Sequence, residues 1–152
     1  MAQTKCGFDN TGNTSGSNLL VLYGPTLFVD IGFDASYDPL KPNTLPVPGI
    51  KSVEALVDSG AGQSCIDSLL ASQLNLPIID KKPISGIGGQ QEANFYLAQV
   101  NVPSLAFTLY GVFAGVHLQA GGQRHKALLG RDFLRPFTMV YEGKTGTVTI
   151  SS

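Results

Sequence analysis

An aspartate at the end of an apolar strand is the residue of this chain best placed to do chemistry. Residues 56–61 read Leu-Val-Asp-Ser-Gly-Ala, so two residues typical of strands lead directly into Asp58. Beside Asp58, Ser59 offers a hydroxyl, Gly60 allows a backbone shape closed to residues with a Cβ, and Ala61 is small. The order predicts a carboxylate on a tight loop with open space beside it.

One carboxylate is a weak catalyst of peptide hydrolysis, but two held about 3 Å apart share a proton, because like charges cannot both ionise there. The ionised one can activate a water molecule while the protonated one donates to the substrate carbonyl. The Asp-Ser-Gly pattern occurs once in this chain. A second chain would therefore have to supply the second aspartate, and a two-fold axis brings a residue close to its own copy.

Two further segments accompany this pattern. Residues 84–89 read Ile-Ser-Gly-Ile-Gly-Gly, which predicts a hairpin tip whose backbone can approach a bound peptide. Taken alone, such a run is typical of any hairpin turn. Residues 127–132 read Ala-Leu-Leu-Gly-Arg-Asp, a second apolar strand that ends in glycine.

These segments, in this order, resemble those of the retropepsin-like aspartic proteases, the homodimeric, single-motif branch of the pepsin-type enzymes. The resemblance rests on residues 56–61, 86–89 and 128–134, and extends over roughly residues 24–150. It implies an aspartic endopeptidase with Asp58 as the catalytic residue and a peptide or protein as substrate. The long proline-rich insert favours a cellular or bacterial homologue over a viral enzyme.

The resemblance also implies roles for other residues. Those expected to support the catalytic loop are Ser59, Gly60, Ala61, Leu128, Leu129 and Gly130. A flap over residues 84–91 would close over the substrate, and the expected substrate contacts are Ile84, Gly86, Ile87, Gly88, Gly89 and Gly62. Viral members pair an acid with the arginine of the Gly-Arg segment, but Gly62 stands at the acid's position. The structural ion pair expected of Arg131 then needs another partner, such as Asp67 or a carbonyl group.

The predicted fold is mainly β: a small closed barrel-like domain, one pepsin-type lobe, with one or two short helices, active as a symmetric dimer. Residues 1–18 are predicted to form a flexible arm, and residues 19–152 the protease domain. Four prolines predict an exposed loop insert over 35–49. Strands are predicted over 19–23, 26–32, 52–57, 105–110, 112–118, 138–141 and 147–151, with a hairpin over 78–102, a helix over 67–74 and a helical turn over 131–134.

Composition excludes several classes of function. Charged residues make up 14% of the chain and the net charge is −1, so neither nucleic acid nor an anionic membrane surface is an expected partner. No apolar run reaches the roughly 18 residues of a membrane span, and we expect a soluble, cytoplasmic protein. His117 and His125 lack the spacing of metal ligands, so no metal and no cofactor are expected.

Two other readings stay open. The chain could be a retropepsin-fold module with weak or no activity that dimerises or binds peptides, because Gly62 leaves the dimer contact ambiguous. A hydrolase with Cys65 as nucleophile is also conceivable, although Cys65 lies among apolar residues and nothing marks it as a low-pKa thiol. Asp132 is expected to be a helix cap or a surface acid.

Overall fold

The computed structural model describes residues 1–86 and 89–152 of this chain. Its strands are β1 (Gln3–Lys5), β2 (Thr26–Gly32), β3 (Ile50–Val57), β4 (Cys65–Asp67), β5 (Ile78–Gly86), β6 (Gly89–Val102), β7 (Phe107–Val116), β8 (Ala127–Leu129), β9 (Thr138–Glu142) and β10 (Thr147–Ser151). Its helices are α1 (Gly16–Tyr23), α2 (Ser68–Gln73) and α3 (Arg131–Leu134), and Pro103–Leu105 forms a short 3-10 helix.

The larger sheet closes on itself. Its strands follow the order β2, β3, β8, β4, β7 and β6, and β6 pairs in turn with β2. β5 pairs with β6 to form a hairpin that extends from this ring. In the described part of the chain the architecture is therefore mainly β with short helices, as predicted. Closure leaves the ring without a free edge.

Burial alternates along the strands of the ring, as the two-residue period of a strand requires. On β2, Leu27, Val29 and Ile31 are buried, whereas Phe28 is largely exposed. The inward residues belong to one large apolar cluster that fills the interior. The strand predicted over 26–32 is thus confirmed, with its apolar face toward the core.

The segment 19–23 was predicted as a strand, and this prediction is wrong, because it belongs to helix α1. A run of five apolar residues suits either element, so the flanking residues decide. The Ser15 hydroxyl accepts a hydrogen bond from the Asn18 N–H at 3.0 Å and caps the start of the helix. Gly24, with a positive φ of 70°, ends it and donates its N–H to the Leu20 carbonyl.

The predicted flexible arm over residues 1–18 also needs correction. β1 pairs with β10, which pairs on its other side with β9, so these three strands form a second sheet. Cys6 is buried in the main apolar cluster, and its N–H donates to the Val148 carbonyl at 2.9 Å. The N-terminal residues are therefore packed into the fold. Their composition suggested disorder, but pairing with β10 provides hydrogen-bond partners for their backbone.

The break expected at Gly111 is absent. β7 runs through Gly111, which lies opposite Ala98 of β6 in an unbroken antiparallel register. The two strands predicted over 105–110 and 112–118 are one strand, and it begins only at Phe107 because Pro103–Leu105 form the 3-10 helix.

The remaining local predictions fare better. Residues 35–49 contain no strand, as their prolines predicted, and the Asp34 carboxylate organises this loop by accepting from the Val47 N–H at 2.9 Å. Helices α2 and α3 lie within the segments predicted as helical. Within residues 1–86 and 89–152, no helix has the length and apolar character needed to cross a membrane.

Gly7 provides a test of whether the N-terminal segment is packed. A Cβ added there would collide with the carbonyl oxygen of Gly146, a backbone atom that cannot move aside. We expect Gly7→Ala to lower the free energy of unfolding by about 1–3 kcal/mol, measured by urea denaturation. Gly111→Ala is the matched control, because its Cβ would meet open space. Equal stability of the two variants would mean that residues 1–18 behave as a free arm.

Candidate active site

Asp58 follows β3 directly and is held there by β8. The two strands run parallel, with Val57 opposite Leu129, and the Asp58 N–H donates to the Leu129 carbonyl at 2.8 Å. Leu129 is fully buried and Leu128 is half-buried. The pairing thus fixes the backbone of Asp58 at the point where both strands end.

A tight turn presents the Asp58 carboxylate. Its Oδ1 accepts a hydrogen bond from the Gly60 N–H at 2.9 Å, and its carbonyl accepts from the Ala61 N–H at 3.2 Å. Ser59 and Gly60 are exposed, while Asp58 and Ala61 are half-buried. The carboxylate is therefore oriented by the backbone and still open on one side.

Gly130 allows the catalytic loop and the end of β8 to meet. A Cβ on Gly130 would lie 2.6 Å from the carbonyl oxygen of Ala61, so no other residue fits without moving the backbone. The same carbonyl accepts from the Arg131 N–H at 2.8 Å. The glycine predicted to support the loop therefore lies directly against it.

A buried serine joins this pair of segments, and sequence reasoning missed it. Ser64 is fully buried; its hydroxyl donates to Asp132 Oδ1 at 2.6 Å and accepts from the Gly130 N–H at 2.9 Å. The Ser64 N–H donates to the other carboxylate oxygen of Asp132 at 3.0 Å. Asp132 is thus an anchor of the catalytic loop as well as a surface acid. Its place directly after the Gly-Arg pair was the only sequence signal for this role.

Arg131 does not form the predicted ion pair with any described residue. Its guanidinium Nη1 donates to the Ser59 carbonyl at 2.8 Å, the second type of partner that the sequence allowed. Asp67 is occupied elsewhere, because its buried carboxylate accepts the N–H groups of Leu118, Gln119 and Leu70. Arg131 therefore braces the outer side of the catalytic turn within its own chain.

The glycine-rich hairpin is present, but its tip is not described. Gly86 lies opposite Gly89 in the register of β5 and β6, and the predicted contacts Ile87 and Gly88 fall outside the described residues. Ile84 and Cys65 both pack against the small apolar cluster formed by Ala93, Phe95 and Ala114. Gly62 is exposed, and a Cβ added there would lie 3.3 Å from the Arg131 guanidinium.

Cys65 is poorly suited to act as a nucleophile. Burial, with smaller contributions from the charges of Asp132 and Asp58, raises the pKa of its thiol to about 11. Burial alone raises the pKa of Cys6 to about 12. Since the thiolate is the reactive form, both cysteines are unreactive near neutral pH.

His125 is buried beside the strand that leads to Asp58. Its Nε2 lies 2.9 Å from the Thr26 hydroxyl, which itself donates to the Gly24 carbonyl at 3.0 Å, so Nε2 carries the proton of the neutral ring. Its Nδ1 is buried without a partner among the described residues. Burial lowers the pKa of His125; the charge of Glu54 opposes this shift and that of Arg124 adds to it.

Comparison with known proteins identifies the family of this chain. A model of the aspartyl protease family matches residues 45–133, which include the catalytic loop, the hairpin and the Gly-Arg segment. The chain belongs to this family, so the resemblance to aspartic proteases is confirmed. It is also similar to the EIAV protease complexed with the inhibitor HBY-793, at 19% identity and a TM-score of 0.45 over 74% of this chain and 86% of that one. No curated protein matches it.

The Ser64 network can be tested by removing one oxygen. Ser64→Ala leaves the buried Gly130 N–H without its acceptor, so we expect the free energy of unfolding to fall by about 1–3 kcal/mol in urea denaturation. Ser72→Ala, at an exposed position of α2, is the control and should cost nothing measurable. If the two variants are equally stable, Ser64 does not anchor the loop.

His125 predicts how stability depends on pH. Its pKa is lower in the folded protein than its ordinary value of 6.5, so the unfolded chain binds the proton more tightly. The free energy of unfolding should be fully maintained above pH 6.5 and should fall as the pH drops from 6.5 through the folded-state pKa. Chemical denaturation across this range should show a weaker dependence of the free energy of unfolding on pH in His125→Gln than in the wild-type chain. If the free energy of unfolding of His125→Gln depends on pH as strongly as that of the wild-type chain, His125 is not the cause of this dependence.

Proposed function

We propose that this chain is an aspartic endopeptidase whose active site forms when the Asp58 residues of two copies meet at a two-fold axis. The observation that carries the proposal is the single, oriented Asp58 carboxylate on an exposed turn, in a chain of the aspartyl protease family. One carboxylate of this kind is half of a dyad. A symmetric homodimer supplies the other half without any further residue type.

In this dimer the two carboxylates share one proton because both cannot ionise at such short range. The ionised Asp58 removes a proton from a water molecule, which attacks the peptide carbonyl. The protonated Asp58 donates to the carbonyl oxygen, and a later proton transfer to the nitrogen releases the amine. The Gly60 N–H bonded to Oδ1 keeps the carboxylate in position through these steps.

The surrounding residues divide into two groups in this proposal. Ser59, Gly60, Ala61, Leu129 and Gly130 support the catalytic loop by the backbone contacts already described, and Leu128 supports it by lying opposite Leu56 in the pairing of β3 with β8. The hairpin over residues 84–91 closes over the peptide, and the substrate contacts proposed are Ile84, Gly86, Ile87, Gly88, Gly89 and Gly62. Of these, Ile87 and Gly88 enter from the sequence alone. Closure would exclude water from the cleft.

A second candidate is a dimerising or peptide-binding module with little activity. It is favoured by Arg131, which donates to Ser59 of its own chain and has no acid at position 62 to pair with. The two candidates differ in whether the assembled chain cleaves peptides.

We expect Asp58→Asn to lower kcat/KM for peptide cleavage by about 10³-fold or more, because the remaining amide cannot serve as the base. Activity is measured on a peptide mixture by mass spectrometry, and light scattering and circular dichroism confirm that the variant keeps its mass and fold. Cleavage that survives the substitution would overturn the proposal. A dimeric wild-type chain that cleaves nothing would favour the binding module.

Mixing the two proteins tests the dimer itself. With subunit exchange and a threefold excess of Asp58→Asn chains, only about one quarter of wild-type chains have a wild-type partner, so activity per wild-type chain should fall to about one quarter. A chain that is active alone would show no change. The matched control is a threefold excess of wild-type protein, which should not reduce activity per chain.

A further inference from the structure

Helix α1 has apolar residues whose side chains are unusually exposed. Val21 is 80% exposed, Leu22 is 69% exposed and Tyr23 is 37% exposed, although the helix has only eight residues. These three line a cavity of about 460 Å³ together with Leu56, Arg124 and His125. This volume falls within the range of about 300–1,000 Å³ that is typical of ligand pockets.

The cavity reaches the strand that leads to Asp58, because Leu56 of β3 forms part of its wall. Ala55 and Val57 are buried, whereas Leu56 and Asp58 are half-buried, so the last two side chains lie on the same side of the strand. Residues two apart on a strand are separated by about 7 Å. That is also the spacing of two same-side residues of an extended peptide, so a peptide that has its scissile bond at Asp58 and runs along this side of β3 would place a nearby side chain at Leu56.

The walls of the cavity favour an apolar occupant. The one charged group, Arg124, is neutralised by Glu54 through two hydrogen bonds of 2.7 and 2.6 Å, and it lies over the Tyr23 ring at 4.3 Å from its centroid. The buried Nδ1 of His125 has no acceptor for a second proton among the described residues, and burial lowers the pKa of this histidine, so both observations favour a neutral ring. No unpaired charge in the described walls calls for an ionic side chain.

Helix α1 is a feature of this chain rather than of the matched family region, which begins at residue 45. The capping of α1 by Ser15 and Gly24 fixes it against the start of β2, and a Cβ on Gly24 would lie 2.6 Å from the side chain of Leu56. The helix is thus held close to the residue that leads to Asp58.

We propose that α1 forms the outer wall of a substrate subsite beside Asp58, where Val21 and Leu22 select peptides with a large apolar side chain within about two residues of the scissile bond. The inference rests on the proposed peptidase function and adds a specificity-determining element to it. A partner subunit covering the same residues is the competing explanation for their exposure.

The test uses two peptides that differ at one position near the cleaved bond, phenylalanine against alanine. We expect the double variant Val21→Ser, Leu22→Ser to lower kcat/KM for the phenylalanine peptide by about tenfold and to leave that for the alanine peptide unchanged. The control is Leu40→Ser, Leu45→Ser, two exposed apolar residues of the 35–49 loop. It should leave both values unchanged.

Measuring peptide binding tests the subsite independently of the proposed peptidase function. The dissociation constants of both peptides are measured by fluorescence anisotropy in the Asp58→Asn background, where cleavage is not required. A selective loss of phenylalanine-peptide binding on substitution of Val21 and Leu22 supports the subsite even if the wild-type chain cleaves nothing. Equal or absent losses overturn it, and so does a weaker dimer with an unchanged preference between the peptides.

Discussion

The parallel pairing of β3 with β8 is the constraint on which the candidate site depends. It joins strands that are far apart in sequence, and the last bond of the ladder, from the Asp58 N–H to the Leu129 carbonyl, sets the position of the Asp58 backbone. Parallel neighbours cannot be connected by a short turn, so β4, α2 and the long β5–β6–β7 meander lie between them. The position of the Asp58 carboxylate therefore depends on the closure of the whole ring.

The close approach between the turn after Asp58 and the end of β8 makes this strand pairing usable as a candidate active site. The absence of a side chain at Gly130 lets the Ala61 carbonyl approach. The Ser64 hydroxyl then accepts a hydrogen bond from the buried Gly130 N–H. Asp132 and Arg131 then hold the turn from two sides, one through Ser64 and the other through the Ser59 carbonyl. A network satisfied in this way is rigid, which suits the short-range pairing of two carboxylates in the proposed dimer.

Local chemistry was predictable from the sequence, whereas long-range packing was not. The order Leu-Val-Asp-Ser-Gly-Ala placed Asp58 at a strand end correctly, and the strand over 26–32 and the helix near Leu70 followed from periodicity. The helix at residues 16–23 was missed because its N-cap, Ser15, lies in a segment whose composition suggested disorder, and because the apolar run over 19–23 suits a strand equally well. Nothing local could reveal that β1 pairs with β10, or decide between Asp67 and a carbonyl group as the partner of Arg131.

The predictable and the unpredictable features lie in different parts of the chain. The catalytic loop, the hairpin and the Gly-Arg segment lie within residues 45–133, where chemistry restricts residue types over short spacings. β1, α1, β9 and β10 lie outside that range and are held in the fold by strand pairing and packing. Since α1 also borders the cavity at Leu56, a segment under loose chemical constraint adjoins the face that carries Asp58. Such a segment can change its side chains without disturbing the carboxylate, which makes it a suitable place for specificity to differ between proteins that share one catalytic loop.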